Sequence, residues 1–206
     1  MQPQAIARNP GATIIRQNEP DSALQILRSG AAKAVLQTAS GVEHISTFYF
    51  PGDIVNLGTL EGGRQQASVV LLSSGSLCRI PQPLLHTHMQ HHPALATALL
   101  QAAMQELHHT NWLGVLLSQG SAQERILFFL HTLAQRAMKT GGSGTCVHLA
   151  MSRKDMANHL GLAAATVSRT LAHLEQEGIL QCSGRTITFR KGSPPRHDAR
   201  HILISP

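Results

Sequence analysis

Short apolar runs separated by turn residues fill the first part of the chain. Between Gly11 and Pro81 these runs are ATIIR, ALQILRSG, AKAVLQT, EHISTFYF, DIVNLG, ASVVLLSS and SLCRIP. Gly, Pro, Asn and Asp interrupt them at regular intervals, as in Pro51-Gly52-Asp53. Many evenly spaced short strands are typical of a β-sandwich or barrel. The pattern therefore predicts a β domain over residues 1–92.

At Pro93 the apolar spacing changes to steps of three and four residues. This spacing predicts one long helix over residues 93–119 with a narrow, heptad-like stripe. Because the stripe includes Ala and Gly, a second copy of the helix can approach it closely. The expected dimerisation contacts are Leu100, Ala103, Leu107, Thr110, Gly114 and Leu117. A helix packed on its own β domain is the alternative interpretation.

A second helix is predicted to begin at Ser121, where SAQERILFFLHTLAQRAMKT opens with Ser-x-x-Glu. Ser121 and Glu124 are expected to satisfy backbone donors of the first turn reciprocally, as a capping box. The Gly-rich residues 141–144 end this helix in a loop. After Lys191 the Pro-rich tail is predicted to be poorly ordered.

The segment MSRKDMANHLGLAAATVSRTLAHLEQEGILQCSGRTITFRK predicts two short helices followed by a β-hairpin. Ser152 is a good N-cap, Asp155 suits the positive end of a helix, and Gly161 suits its end. A second helix begins near Ala163. Its outward polar residues are Thr166, Ser168, Arg169 and His173. The arrangement predicts a winged helix-turn-helix, with a helical hairpin that has no nucleic-acid role as the alternative.

This segment also carries the candidate chemistry. The major groove of DNA admits one helix, and an arginine there donates two hydrogen bonds to guanine O6 and N7. Arg169 is therefore the expected base-reading residue, and Ser168 is expected to bond a base or a phosphate. The expected phosphate contacts, which set register and not sequence, are Ser152, Arg153, Lys154 and Arg185. A solvated charged surface would give Arg153 and Lys154 the same pattern.

Composition and the absence of certain motifs change this picture in four ways. The net charge of +6 suits a polyanionic partner. The chain has 11 acidic residues and no hydrolase elbow, phosphate-cradling loop or paired-carboxylate motif, so an enzyme is not expected. Cys78, Cys146 and Cys182 form no C-x-x-C pair. No apolar run approaches the roughly 20 residues that span a bilayer, and no secretory signal is visible, so a cytoplasmic location without membrane contact is expected.

Nearly the whole chain resembles the CRP/FNR superfamily of bacterial transcription regulators. The strongest matches are MSRKDMANHLGL, TVSRTLAHLEQEGIL, SGRTITF and SAQERILFFL, while LQILRSGAAKAV and FYFPGDIVNLGTL resemble that family's β-roll. The resemblance implies an α+β chain. Its parts are an N-terminal double-stranded β-helix (a jelly-roll β-roll like that of cyclic-nucleotide-binding domains), the dimerisation helix over 93–119, and a winged helix-turn-helix domain over 120–206.

The same resemblance carries functional expectations. It implies a homodimer that reads palindromic double-stranded DNA with two helices about one DNA turn apart. It also implies contact with RNA polymerase and a small-molecule or redox signal at the β-roll. An enzyme with a barrel-shaped pocket, a dimeric interaction module, and a small-molecule-binding protein without DNA binding are the alternatives.

Two departures concern the signal. Leu57 and Ala67 stand where cyclic-AMP binders of the family have Glu and Arg, and only Ser68 is kept. A buried phosphate would lack charge compensation there, so cyclic AMP is not expected. Cys78 stands where the FNR branch has a barrel ligand for its iron–sulfur cluster, but no cysteine precedes it. No cluster is expected, and Cys78 is predicted to be a buried strand residue.

A third departure concerns base reading. The family often carries a Glu, and sometimes an Arg, before T-x-S-R in the second helix. Here the positions are Ala163, Ala164 and Ala165, so those base contacts are absent. Ala164 and Ala165 are expected to touch thymine methyl groups instead.

Six of the 13 histidines form two clusters. Their members are His86, His88, His91, His92, His108 and His109. Haem-binding members of the superfamily exist, and imidazole is the commonest axial ligand, so haem is an open alternative to no cofactor. HTHMQHH is also compatible with a transition metal. Because this first cluster is predicted to lie in a surface linker before Pro93, solvated or pH-responsive histidines without a metal are expected.

Overall fold

The computed structural model describes residues 4–21, 23–57, 63–139 and 141–190. The chain divides into two compact units, Met1–His108 and His109–Pro206. The division falls inside the long helix Pro93–Gln119. Within the described ranges, no helix is both long enough and apolar enough to cross a membrane. The tail after Lys191, predicted to be poorly ordered, lies outside the described residues.

Two four-stranded antiparallel sheets form the first unit. Their strands are β1 (Gln4–Arg8), β2 (Thr13–Ile15), β3 (Leu24–Ser29), β4 (Ala32–Gln37), β5 (Glu43–Tyr49), β6 (Ile54–Val55), β7 (Ser68–Leu71) and β8 (Gly75–Ile80). One sheet has the order β1-β8-β3-β6 and the other β2-β7-β4-β5. The non-sequential order confirms the predicted jelly-roll β-roll. Strand β1 was not expected from the sequence.

The core of this unit lies between the two sheets. Successive side chains of a strand point to opposite faces. In β3, Leu27 is therefore fully buried in the core with Leu77 and Val69 from other strands. Ile26 lies on the other face of the same strand and lines a pocket there. Cys78 pairs with Ile26 in the sheet and is half-buried, so it is a strand residue as predicted but is not fully buried.

Two helices follow the β-roll, α1 (Gln82–His91) and α2 (Pro93–Gln119). The first histidine cluster therefore lies mainly on a helix, so the predicted linker is wrong, although its histidines are exposed at the surface as predicted. Leu85 is buried in the first turn of α1, and the histidines of the helix are exposed. His92 is extended because the residue before a proline is pushed out of the helical region. Pro93 then opens α2, where a proline costs no hydrogen bond.

The second unit has the architecture of a winged helix. Its further elements are α3 (Ala122–Lys139), β9 (Cys146–His148), α4 (Arg153–His159), α5 (Ala164–Gln176), β10 (Leu180–Ser183) and β11 (Thr186–Phe189). The three strands form one antiparallel sheet in the order β10-β11-β9. The prediction of two short helices and a hairpin is confirmed, while β9 was not predicted. Ser121 and Glu124 form the predicted capping box, which lowers the pKa of Glu124.

Acid is expected to destabilise the second unit through His131. Its ring stacks on Phe189 with centroids 4.9 Å apart, and its buried Nδ1 has no hydrogen-bond partner among the described residues. Burial lowers the pKa of His131 from 6.5 to about 4. Between these values the unfolded chain binds a proton that the folded chain does not, so the free energy of unfolding falls as the pH falls. The loss is expected to reach about 2–3 kcal/mol near pH 4.

Urea unfolding of the full chain at pH 7 and at pH 4.5 measures this effect. His131→Phe keeps the ring stacking and removes the titration, so its unfolding free energy should fall less over the same interval. Equal losses in the two proteins would show that His131 does not cause the acid sensitivity.

Candidate nucleic-acid interface

Helix α4 begins at a complete capping box. The Ser152 hydroxyl oxygen accepts a hydrogen bond from the Asp155 backbone N–H at 3.1 Å. The Asp155 carboxylate accepts in return from the Ser152 backbone N–H at 3.2 Å and from the Ser152 hydroxyl at 2.6 Å. The side chain of Ser152, a predicted phosphate contact, therefore serves first to fix the start of α4.

The turn between α4 and α5 depends on one glycine. Gly161 has a φ of 62°, a conformation that residues with a Cβ rarely adopt. Its N–H donates to the Asn158 carbonyl at 3.3 Å, and the Leu162 N–H donates to the Ala157 carbonyl at 2.9 Å. These two bonds make a Schellman motif, which ends α4 and redirects the chain into α5.

An arginine from α3 braces this turn. Arg125 donates from Nε to the Gly120 carbonyl oxygen and from Nη1 to the Leu160 carbonyl oxygen, both at 3.0 Å. It thereby connects the corner before α3 with the last residues of α4. Arg125 was not expected from the sequence to be a site residue, because nothing in its local pattern indicates a contact with a residue 35 positions away.

Helix α5 separates a buried face from an exposed one. Val167, Leu171 and Leu174 are buried in the core of the second unit. The exposed residues on its first turns are Ala163, Ala164, Ala165, Ser168 and Arg169. The N-cap residue Ala163 makes no side-chain hydrogen bond, so the first backbone N–H groups of α5 have no side-chain cap. The helix thus presents methyl groups, backbone donors, a hydroxyl and a guanidinium.

The polar side chains of α5 make weak or local contacts. Arg169 donates from Nη2 to the Thr166 hydroxyl at 3.4 Å, close to the limit for a hydrogen bond. Ser168 donates to the carbonyl of Ala164 one turn earlier at 3.1 Å. His173 Nε2 lies 3.5 Å from a Glu177 carboxylate oxygen. Because its contact is long and its side chain exposed, the Arg169 guanidinium is free to take another acceptor.

Three further cations flank α5 in the fold. Lys154 is exposed in the first turn of α4, and Arg185 is exposed in the two-residue turn between β10 and β11. The Arg185 carbonyl accepts from the Leu149 N–H at 2.8 Å, which holds the base of this turn. Arg153 is half-buried, and its Nη1 is buried without a hydrogen-bond partner in the described part of the chain. Lys154 and Arg185 are thus the more accessible cations.

At the β-roll positions that correspond, by the family resemblance, to the phosphate contacts of cyclic-AMP binders, the polar groups bond to one another. Ala67 is buried, and the Ser68 hydroxyl accepts from the Gln17 N–H at 3.0 Å. Asn56 donates from Nδ2 to Gln65 Oε1 at 2.6 Å and to the Ala67 carbonyl at 3.1 Å. These polar groups satisfy one another, and residues 58–62 of the same segment lie outside the description.

Helix α2 exposes an apolar stripe. Its large exposed apolar side chains are Leu100, Met104, Leu107 and Val115, with exposures of 60%, 53%, 52% and 42%. Among the other predicted dimer contacts, Thr110 and Gly114 are exposed, while Ala103 and Leu117 are partly buried. Successive residues are about 100° apart around a helix, so Ala103 and Met104 lie about 50° to either side of the line between Leu100 and Leu107. Met104 is the more exposed of the two.

The cysteines and histidines give no metal centre in the part of the chain that the structure describes. Cys146 is exposed, Cys78 and Cys182 are partly exposed, and all three are free. No group of three or more potential ligands that could hold a metal occurs among the described residues. In the first histidine cluster, His88 and His92 stack with ring centroids 6.2 Å apart.

Comparisons with known proteins agree with this architecture. Residues 7–92 match the cyclic nucleotide-binding domain family, and residues 124–191 match the Crp-like helix-turn-helix domain family. The chain is 33% identical over 177 residues to the transcriptional activator protein anr of Pseudomonas aeruginosa, across 86% of this chain and 72% of that protein. It is 32% identical to the transcriptional activator protein FnrA of Stutzerimonas stutzeri, with the same two coverages.

A solved structure shows the same fold. FixK2 from Bradyrhizobium japonicum superposes with a TM-score of 0.81 at 24% identity, covering 98% of this chain and 96% of that one. A β-roll, a long helix and a winged helix-turn-helix together define a DNA-binding transcription regulator and not an enzyme. The chain belongs to the CRP/FNR superfamily.

Proposed function

We propose that this regulator acts in the cytoplasm as a homodimer, which reads an operator with two copies of α5 and contacts RNA polymerase there. The observation that carries the proposal is the exposed face of α5, where Arg169 projects from a helix held by the buried Val167 and Leu171. A symmetric dimer places two such helices in successive major grooves, so the operator has two half-sites about 10 base pairs apart.

The α5 residues divide by chemistry. Arg169 donates two hydrogen bonds to a guanine, and the methyl groups of Ala164 and Ala165 meet thymine methyl groups. Ser168, Thr166 and His173 lie beside this face and supply shorter polar contacts. The cations Lys154 and Arg185, with Arg153 and the N-terminus of α4 at Ser152, neutralise backbone phosphates, which fixes register without reading sequence.

The β-roll holds the signal in this proposal, and cyclic AMP is not that signal. A buried phosphate needs a cation to compensate its charge. Ala67 replaces the arginine that would supply it, and the Ser68 hydroxyl already accepts from the Gln17 backbone. The proposal includes no resident cofactor, and haem is the alternative that the histidine clusters leave open.

Replacing Arg169 with alanine is expected to weaken specific DNA binding by about 1–3 kcal/mol, or roughly 5- to 150-fold, because the guanine loses two hydrogen bonds. The probe is the sequence that the wild-type protein enriches from a random duplex pool. Fluorescence anisotropy at one fixed salt concentration measures the affinity of both proteins. Light scattering and circular dichroism should show that the variant stays dimeric and folded.

Arg16→Ala is the matched control, since Arg16 is an exposed arginine of the β-roll whose Nη1 lies 3.7 Å from a carboxylate oxygen of Glu19. It is expected to leave specific affinity unchanged. Equal losses of DNA affinity in the two variants would show that Arg169 acts only through its positive charge. A wild-type protein that enriches no sequence would contradict the proposed operator.

A further inference from the structure

A pocket of about 350 Å³ lies within the first unit, on the outer face of the sheet that contains β3, β6 and β8. One wall comes from these strands and the Gly52 turn, and the other from α1 and the first three turns of α2. Its lining residues are Leu24, Ile26, Gly52, Ile54, Ile80, Leu85, His88, Leu95, Ala98, Leu99 and Ala102. The pocket is separate from the inter-sheet core around Leu27.

The chemistry of the lining is almost uniform. Every lining side chain is aliphatic except that of His88, and none carries a fixed charge. His88 is exposed, and its ring stacks beside the His92 ring one turn later with centroids 6.2 Å apart, so the polar group of the lining lies on the solvent-facing side of the pocket. Small-molecule sites in proteins share these features: a volume of about 300–1,000 Å³, an apolar lining and a few polar groups that orient the ligand.

We propose that this pocket binds a neutral, predominantly apolar small molecule with one hydrogen-bonding group, which pairs with the His88 imidazole. The volume admits a molecule of about three aromatic rings. A carboxylate or phosphate is excluded because the lining offers no Lys or Arg to compensate a buried charge. A strongly polar ligand is excluded because its other donors and acceptors would lose water without gaining partners.

The position of the pocket gives the ligand a route to regulation. Leu95, Leu99 and Ala102 belong to α2, the continuous helix that runs on to Gln119 beyond the β-roll. A ligand that fills the pocket holds this helix to the sheet and disfavours any state in which the two separate. The effect on DNA rests on the proposed function, whereas the binding itself does not.

Titration of the full chain with N-phenyl-1-naphthylamine tests the site without DNA. This probe is neutral, has two joined aromatic units and one N–H group, and fluoresces strongly in apolar surroundings. We expect a saturable rise in fluorescence for the wild-type protein. Ala102→Trp, which fills the pocket, should weaken binding at least tenfold, while Ala94→Trp, on an exposed position of α2 outside the lining, should leave it unchanged.

Two further variants keep the test decisive. Ala98→Phe closes the pocket more gently and replaces Ala102→Trp if that protein does not fold. His88→Leu keeps the lining apolar and removes the hydrogen bond, so it should weaken the probe by roughly 3- to 10-fold. Absence of saturable binding, or equal binding by Ala98→Phe and the wild-type protein, would overturn the proposed site. A wild-type protein that binds the probe but no operator would contradict the proposed function. The proposed pocket would still be supported by the probe.

Discussion

Leu107→Lys is expected to convert the protein to a monomer and to weaken operator binding by about 10²- to 10⁴-fold. Leu107 lies in the middle of the apolar stripe on α2, with Leu100 and Met104 on one side and Val115 on the other. A second copy of the chain is the occupant that we propose for this stripe. A buried lysine charge without a partner would oppose that contact strongly.

The large effect on DNA follows from the geometry of two linked sites. When one α5 of a dimer is bound, the second half-site binds at the high effective concentration that the dimer imposes. A monomer loses that advantage although its Arg169 is intact. Sedimentation should therefore show a change from twice 22.2 kDa to a single chain. Anisotropy on the selected operator should show the matching loss of affinity.

Gln105→Lys is the control, because Gln105 is exposed on α2 but lies about 200° around the helix from Leu107. It introduces the same charge and should leave both mass and affinity unchanged. If Leu107→Lys stayed dimeric with full operator affinity, the stripe would not be the dimer contact.

Arg125→Met is expected to lower the free energy of unfolding by about 2–4 kcal/mol. The guanidinium makes two hydrogen bonds to the carbonyl groups of Gly120 and Leu160, and bonds to a charged donor contribute about 1.5–3 kcal/mol each. Water recovers part of this loss, since both bonds are only partly buried. Methionine keeps the aliphatic stem, so the change isolates the loss of the guanidinium.

Urea unfolding of the full chain measures this loss, with Arg125→Lys as the comparison. Lysine keeps the charge, but its single nitrogen cannot reproduce both directed bonds, so the expected loss is intermediate. A loss below about 1 kcal/mol for Arg125→Met would show that water replaces the arginine at both carbonyls.

Local signals in the sequence were sufficient for most elements of the winged helix. Ser152, Gly161 and the capping pair of Ser121 and Glu124 act through backbone groups within a few residues, so their roles follow from spacing alone. The same holds for α5, whose buried residues Val167 and Leu171 recur at the helical period. The helices of this unit could be outlined in that way because their caps and apolar faces agree.

The sequence was less informative where polar residues mask an amphipathic pattern or where register matters. Four histidines in residues 86–92 concealed the buried Leu85 and suggested a linker in place of α1. On α2, steps of three and four alternate, and the apolar pattern did not indicate that Met104 is exposed while Ala103 is partly buried. Both steps fit a heptad, and only the packing of α2 decides which residues stay exposed.

The sequence alone determined the class of this protein: a sandwich or barrel of short strands, which the family resemblance specified as a β-roll, then a long helix and a winged helix-turn-helix with Arg169 on the outer face of α5. These features depend on periodicity, caps and turns, which act over short distances along the chain. Tertiary structure alone decided the third wing strand β9, the Arg125 brace and the pocket beside His88. Each of these joins residues far apart in sequence, and no local pattern records which distant groups a fold brings together.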